Sequence, residues 1–150
     1  MKKGHIVRAF FMGKRISEYT FLFALGGCIY YSVEILFRGF SHWSMFILGG
    51  LALWFCTWQG LLVSWQDPLW RQMLRSILFV TALEFITGLI VNKYYHLAVW
   101  DYTDQPFQLF GQICLPFTIL FSGLCAVGIL LGAFLVHTLY REKTPHFHVL

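Results

Sequence analysis

The chain has 150 residues, 58% hydrophobic, 19% aromatic and only 12% charged, with a formal net charge of +4. An average soluble domain is about 25% charged, so this composition excludes a soluble globular protein and points to one integral membrane domain. The basic excess does not point to nucleic acid, because the bases sit at segment ends and form no stripe, and no Gly-rich phosphate loop occurs.

Residues 1–18 form a basic cytoplasmic N-terminal segment, with Lys2, Lys3, Arg8, Lys14 and Arg15 interleaved with apolar residues. That mixture suits an amphipathic segment on an anionic leaflet or a plain tail. It leads straight into a full-length apolar span with no small-x-small cleavage site, unlike a cleavable signal peptide.

A four-helix transmembrane domain over 19–140 follows, then a cytoplasmic tail, 141–150. Span one is expected from about Tyr19 to Phe37, long enough for a hydrocarbon core of ~30 Å. Gly27, Tyr31, Glu34 and Arg38 share one of its faces, and Glu34 and Arg38 are spaced to pair. Span two begins after Ser41-His42-Trp43 and runs to about Val63, with Gly49-Gly50 as a point of close backbone approach. Trp54, Trp58 and Trp65 fit an interfacial aromatic belt, Gln59 reads as a hydrogen-bonding packer, and Ser64 to Pro68 reads as a short turn.

Span three, about Leu74 to Val91, places Thr81, Glu84, Gly88 and Asn92 on one polar, small-residue stripe. Lipid cannot satisfy that stripe, so it must face protein or water. A compact polar block follows, Trp100-Asp101-Tyr102-Thr103-Asp104. Beyond it Gln108 and Gln112 stand four residues apart. Span four runs from about Gly111 to Leu139 and carries Gly128-Ile-Leu-Leu-Gly132, a small-xxx-small approach motif.

With the N-terminus inside, nine Lys and Arg residues lie on inner segments (Lys2, Lys3, Arg8, Lys14, Arg15, Arg71, Arg75, Arg141, Lys143) and two outside (Arg38, Lys93). The expected fold is therefore an all-α integral membrane protein with four transmembrane helices and both termini cytoplasmic, multi-pass in the cell membrane. The Trp100 to Asp104 block falls outside.

The four Cys lie in apolar runs without paired spacing, as buried small hydrophobes do. His146-Phe147-His148 reads as a solvated tail. No catalytic triad, metal-ligand set or cofactor motif is apparent, so enzymatic activity has no motif behind it. Glu34, Glu84 and Asp101 carry the functional content: a vestibule narrowing onto Glu84 would suit a cation, a proton or an amine. An inter-helix polar clamp would use the same residues.

Several stretches in fixed order resemble the small bacterial membrane proteins catalogued as type IV ABC-transporter permeases. They are Glu34-Ile35-Leu36-Phe37-Arg38-Gly39 with His42-Trp43-Ser44-Met45, Leu83-Glu84-Phe85-Ile86-Thr87-Gly88, Trp100-Asp101-Tyr102, and Gly111-Gln112-Ile113-Cys114-Leu115-Pro116, with a further echo at Lys143 to His146. The resemblance spans roughly Tyr30 to Thr118. It departs at Gln108, where relatives carry Asn, and at Gln59, where they carry an acid. It implies a permease-like protein or transporter subunit with a substrate-binding set of Glu34, Arg38, Glu84, Trp100, Asp101, Tyr102, Gln108 and Gln112. Since four helices rarely enclose a pathway alone, the expected partners are membrane lipid, further copies or a partner subunit, and a separate ATPase if ATP drives transport. Two other functions fit the same residues: a membrane enzyme or binding protein for a lipid or cell-envelope precursor, and a scaffold subunit of a membrane complex.

Overall fold

The structure, a computed structural model, describes residues 2–62, 67–143 and 146–147, the side chains of 2–10 and 61–62 excepted. Trp65, the turn over Ser64 to Gln66, and His148 lie outside the described residues. The helices are α1 (Lys2–Arg38), α2 (Trp43–Leu62), α3 (Leu69–Gly88) and α4 (Leu115–Tyr140). A six-residue π-helical turn, Leu89–Tyr94, prolongs α3.

Three stretches are long and apolar enough to cross a membrane: Phe11–Arg38, Leu69–Tyr94 and Leu115–Tyr140. The fourth helix, α2, is shorter at 20 residues. Span one is expected from about Tyr19, and the helix that carries it, α1, is continuous over 37 residues from Lys2, since no proline interrupts residues 2–19. The fold is all-α, as expected, and its one addition among the described residues is a minimal two-stranded ribbon, β1 (Gln108–Leu109) antiparallel to β2 (Ile113–Cys114), with Gln108 opposite Cys114. Its second strand occupies sequence assigned to the start of span four, and α4 begins only where Cys114 is extended and Pro116 lies in the first turn.

Helix ends follow local chemistry. Gly39, at φ +76°, takes the left-handed position that stops α1, and its N–H donates to the Ile35 carbonyl at 2.8 Å. Pro68 precedes α3 with extended ψ and leaves no N–H to satisfy.

Small residues set the packing. A Cβ at Gly26 would lie 2.6 Å from the Gly49 carbonyl oxygen, one at Gly27 2.7 Å from that of Phe46, and one at Gly50 2.6 Å from that of Phe23. The α1 and α2 backbones are therefore in direct contact, as Gly49-Gly50 suggests. On α4, Thr57 of α2 fills the space beside Gly132, which gives the Gly128 to Gly132 motif its partner. The main core gathers Leu22, Leu53, Cys56, Val80, Cys125 and Ile129 from all four helices.

Two ends of the bundle can be distinguished. Lys14 of α1 pairs with Glu142, just past α4, at 2.7 Å, so this is the terminal end; the α3–α4 connection marks the loop end. At the terminal end Gln59 donates to Ser76 at 2.6 Å and to the Gln72 carbonyl at 3.1 Å, and accepts from Arg75 at 3.0 Å. Arg75 also pairs with Asp67. Gln59 is thus the hydrogen-bonding packer its surroundings suggest.

A prediction follows from the glycine contacts. Gly49→Val forces α1 and α2 apart and should cost about 1 to 3 kcal/mol, seen as a lower unfolding temperature in lipid nanodiscs. Gly123→Ala, where a Cβ meets nothing within 4 Å, should not lower it. Equal effects would contradict the packing described.

Candidate functional site at the loop end

Glu34 lies one helical turn before Arg38, and the guanidinium donates to its carboxylate at 2.6 Å. The other arm of Arg38 donates to the Val99 carbonyl of the α3–α4 loop, and the Phe40 ring lies under the cation at 4.7 Å. Thus Arg38 ties the end of α1 to the loop. The phenol on this side is Tyr30, packed against the loop-end cluster of Met45, Leu48, Val91, Val99 and Trp100, and not the Tyr31 that helical spacing suggests.

The loop is held by amide side chains. Asn92, on the π-helical turn, accepts from the Val99 N–H at 2.7 Å and donates to Gln112 Oε1 at 2.8 Å. The Gln112 amide donates to the Phe110 carbonyl at 3.0 Å, and its own carbonyl accepts from the Trp100 indole at 3.0 Å. Gln112 is 2% exposed and Trp100 7%, so these bonds replace water at buried polar groups. All of this needs Gly88: a Cβ there would sit 2.5 Å from Gln112 Oε1 and 3.1 Å from the Trp100 ring.

The loop turns Tyr102 in toward the helix bundle. Its ring stacks on Phe117 of α4 at 4.7 Å, and its hydroxyl donates to Glu84 Oε1 at 3.2 Å. Glu84 is 5% exposed, about two turns before Asn92, inside a helix apolar enough to span a bilayer. Burial, then the charge of Glu84 and the neighbouring Tyr30, push the Tyr102 hydroxyl above its ordinary pKa. Tyr102 therefore stays protonated and meets Glu84 as a donor. A buried carboxylate with one phenol donor, near a Glu–Arg pair, can take up a proton, a cation or an amine.

Not all expected site residues converge here. Asp101 is exposed and accepts from the Thr103 N–H at 3.0 Å, closing an Asx turn. Its Oδ1 lies 2.8 Å from where a Gly111 Cβ would stand, and Gly111 has φ +70°, so only glycine suits that position. Gln108 is exposed and accepts from the Gly111 N–H at 2.6 Å. Both shape the loop from outside. A cavity of about 180 Å³ does lie inside the bundle, but its lining is Tyr30, Gly49, Cys56, Phe121, Gly128 and other apolar residues, and neither Asp101 nor Glu84 lines it. Asp101 therefore does not line a pocket shared with Glu84; its neighbour Tyr102 makes that connection.

Two polar features extend beyond the stripe expected on α3 and the pair expected on α1. The buried residues of α3 are Gln72, Ser76, Val80, Glu84 and Gly88, a strict four-residue repeat. On α1 Glu18, Leu22 and Gly26 are buried at the same spacing, with Tyr30 and Glu34 half-buried and Arg38 exposed further along, and Glu18 is 0% exposed. The four-residue period of each helix, followed past the charged flank, would find both.

A family model described as "Putative ABC-transporter type IV" matches residues 9–150. No curated protein and no solved structure matches the chain.

The network makes Gln112 the position most sensitive to change. Gln112→Leu leaves Asn92 Nδ2 and the Phe110 carbonyl without partners and should cost about 1 to 3 kcal/mol in thermal unfolding. Gln108→Ala, on the exposed side, should cost less. If Gln108→Ala costs as much, the Gln112 hub is misassigned.

Proposed function

The chain belongs to the type IV ABC-transporter family, and from that premise we propose that it is a permease-like membrane subunit whose ligand face is built around Glu84. Four crossings are the finer topology. Helix α2 counts as the fourth because its 20 residues reach about 30 Å and it packs backbone to backbone along α1. The distribution of nine bases against two supports cytoplasmic termini and an external loop. The basic segment 1–18 and the tail 141–150 then flank a 19–140 transmembrane domain in the cell membrane.

One observation carries the functional reading: Tyr102 reaches from the loop to a carboxylate buried in a spanning helix, at 3.2 Å. A carboxylate at that depth costs at least about 2.5 to 3.5 kcal/mol on insertion scales. Purely structural roles are served more cheaply by an amide, as Gln112 demonstrates nearby. In this reading Glu84 and Tyr102 contact the transported species. The Glu34–Arg38 pair sets the field at the mouth. Trp100 and Gln112 fix the loop, and Asp101 and Gln108 shape its outer turns. The subunit works with further copies or partner chains, and the sequence offers no nucleotide site of its own, so a separate ATPase supplies the energy.

The apolar cavity supports a second reading, a binding protein or membrane enzyme for a lipid or cell-envelope precursor. Its walls include Ile29, Val33, Leu124 and Val127, all exposed on the flank of the bundle, where an acyl chain could enter from the bilayer.

Affinity purification of the intact protein from its own membranes, with mass spectrometry of its companions, should recover an ATPase. In proteoliposomes of that complex Glu84→Gln should lower ATP turnover on the order of tenfold, a usual scale for coupling between sites. Thr103→Ala should leave turnover unchanged. Recovery of no ATPase, or turnover indifferent to Glu84→Gln, contradicts the transporter reading; a co-purified lipid in its place favours the second.

A further inference from the structure

We propose that Glu18 is a proton-binding site at the terminal end of the bundle, with Arg15 as a movable counter-charge shared between it and Glu142. The proposal is independent of the function assigned to Glu84. Glu18 is fully buried, and neither carboxylate oxygen has a hydrogen-bond partner among the described residues. The nearest cation, Arg15, stands 3.7 Å from Glu18 Oε2 and makes no hydrogen bond to it. The same Arg15 nitrogen lies 3.9 Å from Glu142, whose carboxylate already accepts from Lys14 at 2.7 Å.

Position explains why this matters. Glu18 lies 20 residues before Arg38, which is about 30 Å along a helix, the thickness of a hydrocarbon core. It thus sits at the boundary opposite the Glu34–Arg38 pair. One turn further on, Leu22 is fully buried in the core shared by α2 and α4, so Glu18 points into the bundle as well. An ionised carboxylate held there without hydrogen bonds carries a large desolvation penalty. A bound proton removes most of it.

A metal cation fits poorly. Among the described residues, the charged groups facing Glu18 from its own helix are the cations Lys14 and Arg15, and the one acid facing it from the end of α4 is Glu142, already engaged by Lys14. These cations repel a metal ion but tolerate a neutral acid. When Glu18 releases its proton to water, Arg15 can close the remaining gap and form the missing charge-assisted bond. It then leaves Glu142 to Lys14 alone. Proton exchange would in this way shift the contact that ties the start of α1 to the end of α4.

The test uses the full-length protein in lipid vesicles and dicyclohexylcarbodiimide, an apolar reagent that modifies protonated carboxyls, with peptide mass mapping. Glu18 should carry an adduct at low pH, and above its midpoint the yield should fall about tenfold per pH unit. In Arg15→Gln the fall should occur at higher pH, because the counter-charge that stabilises the ionised form is gone. Infrared spectroscopy gives a readout that does not depend on reagent access. A protonated-carboxyl C=O band should disappear in Glu18→Gln, an isosteric mimic of the neutral acid, and persist in Glu84→Gln. If no band is lost in Glu18→Gln, or if the adduct yield on Glu18 does not change with pH, the proposal is overturned.

Discussion

Hydrocarbon offers no hydrogen bonds, and that constraint organises this protein from end to end. Lipid cannot satisfy a polar side chain on a spanning helix, so polar residues line up at the helical period and turn inward. On α3 the buried row runs Gln72, Ser76, Val80, Glu84, Gly88. In its terminal part Gln59 of α2 donates to the Ser76 hydroxyl and to the Gln72 backbone carbonyl. Its loop part is satisfied by groups the chain brings back from the far side of the π-helical turn: Tyr102 for Glu84, and Gln112 for Asn92. Gly88 is the hinge of the arrangement, because only a residue without a side chain leaves room for Gln112 and Trp100 at that level.

The two ends solve the problem differently. At the loop end Arg38, Asn92 and Gln112 form an almost closed circuit of hydrogen bonds, and Glu84 is reached by a donor that keeps its proton. At the terminal end the charges outnumber their good contacts: Lys14, Arg15, Glu18 and Glu142 cluster, yet among the described residues Glu18 has no hydrogen bond and an Arg15 nitrogen has none either. The first arrangement is built to hold a fixed geometry. The second leaves an ion pair that can tighten when a charge changes.

Much of this was legible in the sequence where a pattern is local. The Glu34–Arg38 pair follows from four-residue spacing, the helix contact at Gly49-Gly50 from small residues, and the inward stripe of Glu84 and Gly88 from periodicity. Three features were not. Helix α1 begins at Lys2 and not near Tyr19, since hydropathy marks where lipid begins and not where a helix does. Glu18 looked like the end of a basic tail because Lys14 and Arg15 precede it, although its period with Leu22 and Gly26 places it inside. In the polar block, Asp101 drew attention as the charge, whereas Tyr102 makes the contact. Which of two adjacent residues points inward is set by a loop with positive φ at His96, Ala98, Phe107 and Phe110, none of them glycine, and no periodicity encodes such a path.

The central claim is that the loop and the buried carboxylate form one unit through Tyr102 and Glu84, and a double-mutant cycle tests it most directly. Unfolding free energies in lipid nanodiscs would be measured for the wild type, Tyr102→Phe, Glu84→Leu and the double variant. Residues in contact couple by about 0.5 to 3 kcal/mol, and the account predicts a value in that range. Additive single effects, with no coupling, would show that the two residues do not meet and would contradict it.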